Sequence, residues 1–178
     1  MKTKNRRQGL IVVNTGEGKG KSSSAFGMAF RAAGWGMKVC VIQFIKGQWQ
    51  TGEQKAAQHF DNIEWHALGD GFTWDTKNPE QDIETSRAIW EFSKQKILSE
   101  AFDVVVLDEI NYCCGYHWIS GQEIADFMKQ HRPCWMHLIL TGRNAAPEVI
   151  AIADTVTEMS MIKHAYQRGI KAEQGIEF

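Results

Sequence analysis

The sequence predicts an α/β fold: a mainly parallel sheet with helices on both faces. Three observations carry that expectation. Short apolar runs recur at residues 10–13, 39–44, 103–107 and 135–140, and continuous runs of this length suit strands buried on both faces. Helix-favouring segments lie between and after them, at 22–33, 79–100, 122–130 and 147–153, and strands alternating with helices imply βαβ crossovers and a parallel sheet. The first run ends in a glycine cluster, Gly16 to Gly20, at the strand's carboxyl end, where such sheets bind ligands.

The first unit reads as Leu10-Ile11-Val12-Val13, a glycine loop, and a helix rich in Phe26, Met28, Ala29, Phe30, Ala32 and Ala33 that stops at Gly34. The second strand is Val39-Cys40-Val41-Ile42-Gln43-Phe44, and the third, from Asp103 to Leu107, finishes at Asp108-Glu109. In the long helix, Pro79 stands near the start, while Ile83, Trp90 and Ile97 recur every seven residues on one side. The last strand is stopped by Thr141-Gly142. Residues 1–9 read as a basic segment able to be flexible, and 10–178 as a single domain, since 178 residues suffice for one core.

Bulk composition narrows the function classes. A formal net charge of -1 offers no surplus for nucleic acid or an acidic membrane surface. The apolar runs fall far below the roughly 18 to 20 residues that cross a bilayer, and the short run after Lys2, Lys4, Arg6 and Arg7 is below a signal peptide's apolar region. A cytoplasmic protein without nucleic-acid or membrane partners is expected. Cys40, Cys113, Cys114 and Cys134 have neither paired metal spacing nor disulfide-scaffold density and read as reduced packing residues. The scattered histidines predict no zinc site.

The chemistry is concentrated in Thr15-Gly16-Glu17-Gly18-Lys19-Gly20-Lys21-Ser22-Ser23, a P-loop between a buried strand and a helix. Glycines let backbone N–H groups turn toward phosphate oxygens, the helix N-terminus adds partial positive charge, Lys21 supplies a full one, and Ser22 is the natural magnesium-binding hydroxyl. Gly16 and Gly20 enclose three residues rather than the usual four, with Thr15 in the usual first position, and Lys19 adds a second cation. Glu17 must turn its carboxylate away from phosphate or act through water. Val104-Val105-Val106-Leu107-Asp108-Glu109 has the Walker B pattern, an apolar strand delivering carboxylates to magnesium (or manganese) near the loop. Nucleotide-dependent chemistry follows. A small-molecule kinase or ATPase, or a regulatory module without turnover, shares these features, and reaction products separate them: ADP for a kinase, intact ATP for a switch.

Further segments carry a resemblance. The loop, Gln43-Phe44-Ile45-Lys46-Gly47, Gly71-Phe72-Thr73-Trp74, Val106-Leu107-Asp108-Glu109, Thr141-Gly142-Arg143, and Lys163-His164-Ala165 with Gly175-Ile176 together resemble the bacterial ATP:corrinoid adenosyltransferases over nearly the whole chain. The resemblance implies a RecA-like P-loop fold, a homodimer, and alkyl transfer from ATP to the cobalt(I) of a reduced corrinoid with release of triphosphate. The reaction would serve adenosylcobalamin synthesis and corrinoid salvage. It also implies a nucleotide reversed in the loop, a flavodoxin-like or other reductant as transient partner, and Phe72 and Trp74 beneath the corrin ring, displacing the lower cobalt ligand. By the same resemblance Arg31 joins the residues from Gly16 to Ser23 as an ATP contact, and Glu109 joins Ser22 and Asp108 at the metal.

Overall fold

The computed structural model describes residues 8–46, 50–69 and 79–177. Its strands are β1 (Ile11–Thr15), β2 (Val39–Gln43), β3 (Ile63–Ala67), β4 (Val104–Asp108), β5 (His137–Thr141) and β6 (Thr155–Glu158). Its helices are α1 (Lys21–Gly34), α2 (Gly52–Ala57), α3 (Pro79–Leu98), α4 (Ile110–Gly115), α5 (Gly121–His131) and α6 (Pro147–Ile152), and a 3-10 turn, Ala165–Arg168, follows. The expected strands and helices all form, with ends displaced by up to two residues. The sheet order is β3-β2-β4-β5-β1-β6, and every pairing is parallel.

β2 and β4 are buried along their whole length, as strands covered on both faces must be. Successive side chains point to opposite faces, so the two layers divide cleanly. Ala25, Phe26, Ala29 and Ala33 of α1 pack on Val39, Val41, Val104, Val106 and Ile139. On the other face Trp90 and Ile97 of α3 and Ile124 and Met128 of α5 pack with Cys40, Ile42, Val105, Leu107, Leu138 and Leu140. The indole of Trp90 also donates to Glu123 Oε1 at 2.8 Å, tying α3 to α5. Of the seven-residue series on α3, Trp90 and Ile97 are fully buried, whereas Ile83 is 37% exposed. Cys40, Cys113 and Cys114 are buried packing residues as expected, but Cys134 is exposed. No helix of the described residues is long and apolar enough to cross a membrane.

The strand order places the site. β5 lies between β1, which carries the glycine loop, and β4, which carries the acids. Strands spaced about 4.8 Å apart set the two tips roughly 10 Å apart, with the end of β5 as a floor between them.

The central position of β4 gives a direct test. Leu107→Ala, at a fully buried position, should lower unfolding free energy by about 2–5 kcal/mol. Leu98→Ala, 54% exposed at the end of α3, should stay within about 0.5 kcal/mol of the parent. Urea unfolding of both variants checks the difference.

Candidate functional site

The loop leaves β1 at Thr15 and reaches α1 through Gly16, where φ is +93° and a Cβ would stand 2.6 Å from the carbonyl oxygen of Met159. No other residue takes that conformation in that space without strain. Gly20 caps α1 with φ +106°, and Asn14 Nδ2 donates to the Lys21 carbonyl at 3.3 Å, holding the loop's end against its beginning. Lys21 folds back over the loop, its Nζ 2.7 Å from Gly16 O and 2.6 Å from Gly18 O. Ser22 and the free amides of the first turn of α1 stand beside it. Burial, then Arg143, push the Lys21 pKa below its ordinary value, while Glu17 and Glu109 pull it up.

Glu17 turns its carboxylate to Arg143, with Oε2 3.0 Å from Nη1. This is the turning away that its place in a phosphate loop demands, and the partner is the residue just past the end of β5. Lys19 faces the other way and pairs with Glu177.

The two acids at the end of β4 differ in kind. Asp108 is fully buried, and both its oxygens are occupied: Thr141 Oγ1 donates to Oδ1 at 2.7 Å, and Gln43 Nε2 to Oδ2 at 3.0 Å. Trp65 Nε1 in turn donates to Gln43 Oε1 at 2.9 Å. Glu109 adopts a left-handed backbone, φ 69°, and its N–H donates to Thr141 Oγ1 at 2.8 Å. Its side chain is held near Lys46, Lys21 and Arg143, and its buried Oε2 has no hydrogen-bond partner. Burial, and then Asp108 beside it, push the Glu109 carboxyl up to about 7 against the pull of those three cations.

An orphaned buried carboxylate oxygen facing the cations of the loop edge fits a hard divalent cation such as magnesium. Glu109 and Ser22 are the free donors for it. Asp108, expected at the metal as well, accepts one hydrogen bond on each oxygen, from Thr141 and Gln43. The structure therefore gathers Gly16 to Ser23, Glu109 and Asp108 in one place. Arg31 is not brought to the loop within one chain: it lies ten residues along α1 from Lys21, about 15 Å, at an apolar cleft with Leu10, Val12, Met28 and Trp35. Phe72 and Trp74 lie outside the described residues. Gln43, Lys46, Trp65 and Thr141 were given no role by the motif spacing; Arg143, at a strand's ligand-bearing edge, was open to a phosphate contact or a structural salt bridge, and here it pairs with Glu17.

Among the described residues, Cys40, Glu64 and His66 also approach within 4.8 Å of one another. There Lys96 donates to Glu64 Oε1, so an ammonium already neutralises the carboxylate, and burial pushes the Cys40 thiol up to about 12. The group acts as an ion-pair network bracing β3 against α3.

The burial of Glu109 has a signed consequence for stability. Its folded pKa of about 7 stands above the ordinary 4.5, so the folded chain holds this proton more tightly than the unfolded chain. The native state therefore loses stability as pH rises from 4.5 through 7, by roughly 3 kcal/mol at the plateau. In metal-free, nucleotide-free buffer, Glu109→Gln should gain stability over the parent at pH 8.5 and little at pH 4.5. Urea titrations at the two pH values check this, and an equal difference at both would contradict it.

Comparison with known proteins agrees with this arrangement. Residues 7–178 match the family model described as ATP:corrinoid adenosyltransferase BtuR/CobO/CobP. A corrinoid adenosyltransferase of Sinorhizobium sp. is 46% identical over 180 residues, covering 100% of this chain and 84% of that one. That of Pseudomonas aeruginosa is 46% identical over 173 residues, covering 96% and 84%, and that of Escherichia coli K12 is 40% identical over 171 residues, covering 96% and 86%. Among solved structures, the flagellar accessory protein FlaH of Methanocaldococcus jannaschii superposes with a TM-score of 0.56 at 15% identity, covering 85% of this chain and 71% of that one. The cytoplasmic domain of EssC superposes with a TM-score of 0.52 at 14% identity, covering 93% and 34%. These two likenesses concern the fold alone. With a P-loop, a strand-end carboxylate and a family match over 7–178, the chain belongs to the ATP:corrinoid adenosyltransferase family.

Proposed function

We propose that this chain transfers the 5′-deoxyadenosyl group of ATP to the cobalt(I) centre of a corrinoid, releasing triphosphate. The observation that carries the reading is the placement of the loop cation Lys21 and the unpartnered Glu109 on either side of β5, in a chain matched to the family from residue 7 to 178. Cobalt(I) is already a strong nucleophile, so the substrate brings its own attacking electron pair. That pair forms the cobalt–carbon bond at C5′, the C5′–O bond breaks, and its electrons leave with the triphosphate.

The residues' tasks are then alignment and stabilisation of the leaving charge. Lys21 exchanges its bonds to Gly16 and Gly18 for phosphate oxygens. Lys46 and Arg143, which face Glu109, add positive potential at the same edge. Magnesium, held by Ser22 and Glu109, would neutralise part of the triphosphate charge. Glu17 stays paired with Arg143 and keeps its charge off the phosphates. Phe72 and Trp74 are proposed to pack beneath the corrin ring and displace the lower cobalt ligand. Arg31 enters this reading as a more distant nucleotide contact. A homodimeric cytoplasmic enzyme, with 10–178 as its catalytic domain and a flavodoxin-like reductant as transient partner, completes it by family resemblance.

The test is a product analysis. Protein, magnesium, ATP and chemically reduced cobalamin should yield inorganic triphosphate and the spectrum of an alkylated corrinoid in equal amounts. Lys21→Ala should fold and lose about a hundredfold to a thousandfold in rate. ADP as the product, or ATP left intact with an unchanged corrinoid, would overturn the assignment.

A further inference from the structure

Asn111 has so far no task in the site. It is fully buried, two residues past Glu109 in the first turn of α4, and the turn after β5 holds it there. Gly142 takes φ +127°, and a Cβ on it would stand 2.9 Å from Asn111 Cβ and 3.2 Å from the backbone nitrogens of Asn111 and Tyr112, so α4 begins directly against that turn. Asn111 Nδ2 donates to Gly142 O at 3.3 Å, and the Gly142 N–H donates to Asn14 O at 3.2 Å. Asn14 belongs to β1 and itself donates to the Lys21 carbonyl. Two adjacent residues of the β5 end therefore pin two residues of the β4 end: Thr141 accepts the N–H of Glu109, and Gly142 accepts the amide of Asn111.

The other end of the Asn111 amide, Oδ1, meets no donor. Among the described residues four buried side-chain atoms lack a hydrogen-bond partner, and two of them are Glu109 Oε2 and Asn111 Oδ1. Both are acceptors, and they fall on one three-residue stretch at the ligand edge. A buried acceptor without a donor is costly, and native structures satisfy such atoms with protein groups or ordered water. An ionised carboxylate and an amide oxygen have no proton to offer each other. A water has two, and it bridges acceptors up to about 5.6 Å apart, twice the usual O–H···O distance. Buried waters characteristically sit on polar groups that the protein leaves unsatisfied.

We propose that Asn111 is a positioning residue for the divalent cation: its amide oxygen fixes one water that Glu109 also holds and that belongs to the cation's hydration shell. The proposal rests on the reading of Glu109 as a cation ligand and extends it. Magnesium gives up its waters reluctantly and keeps several of them in protein sites, so the groups that receive those waters help to set affinity, as outer-shell partners of a metal do. The two ends of the amide have separate tasks. Nδ2 braces the turn after β5, and Oδ1 orients the water. Chemistry that removes one end and keeps the other tells the two tasks apart.

The experiment is manganese titration of the ATP-loaded full chain, read by electron paramagnetic resonance. Asn111→Leu, close in shape and without polar side-chain atoms, should weaken manganese about tenfold, the lower end for loss of an outer-shell partner. Asn111→Asp keeps the acceptor and loses the donor to Gly142, and it should bind manganese within about threefold of the parent or more tightly. A role confined to bracing Gly142 needs the donor, so it makes Asn111→Asp as weak as Asn111→Leu. A loss below about threefold in Asn111→Leu, or above about threefold in Asn111→Asp, would overturn the proposal. If Asn111→Leu shows no cooperative urea unfolding, Asn111→Asp decides alone. Glu109→Gln, titrated alongside, tests the reading beneath: parent-like affinity there takes the cation away from Glu109, whereas a large loss there with none in Asn111→Leu removes the bridging water alone. The titrations need no corrinoid and no turnover, so their outcome is independent of adenosyl transfer.

Discussion

A chain of four hydrogen bonds fixes the ligand edge of the sheet. It runs from Trp65 through Gln43 to Asp108, and from Glu109 through Thr141 to the same Asp108. It joins the middle of β3 to the carboxyl ends of β2, β4 and β5, and Asp108 at its centre is fully buried. A buried carboxylate is tolerable only when its oxygens are hydrogen-bonded, and here each has its own donor. Asp108 thereby becomes a structural anchor. The same Thr141 hydroxyl that donates to Asp108 accepts the Glu109 N–H, helping to hold Glu109 in a left-handed conformation that its side chain does not favour. The result is one carboxylate tied into the sheet and its neighbour turned toward the loop.

Around that fixed carboxylate the charges are sorted by direction. Lys21 lies over the inner face of the loop, Lys46 and Arg143 face Glu109, and Lys19 faces the outer side with Glu177. Glu17 would oppose a bound polyphosphate, but its pairing with Arg143 at 3.0 Å removes it from the phosphate path. The bonds of Lys21 to two loop carbonyls and that of Lys19 to Glu177 show the same pattern: a cation satisfied by local oxygens. Binding of a highly charged ligand then exchanges one set of contacts for another and does not require burying bare charge.

The sheet was readable from the sequence where strands are buried on both faces, because β2 and β4 are unbroken apolar runs. β3 was not read, since Glu64 and His66 interrupt it at the sheet edge, and β6 was not read, since its four residues are all exposed. The helices α2 and α4, six residues each, are too short to show a period. The glycine loop was legible because its chemistry is local. The distinct tasks of Asp108 and Glu109 were not, because adjacent acids look alike in a sequence and are told apart here by Thr141, more than thirty residues away and one strand over. Arg31 illustrates the same gap. Its place among the nucleotide contacts came from the resemblance and not from any local pattern, and within the chain it stands toward the far end of α1 from the loop.

The account therefore turns on Thr141 as the residue that aims Glu109. The most direct measurement is the affinity of the ATP-loaded protein for manganese, read by electron paramagnetic resonance, in Thr141→Val and Thr141→Ser. Loss of the hydroxyl in Thr141→Val should weaken manganese about tenfold to a hundredfold, as removal of an outer-shell partner does, with Thr141→Ser close to the parent. Manganese affinity in Thr141→Val equal to that of the parent would contradict the role given to the hydrogen-bonded chain.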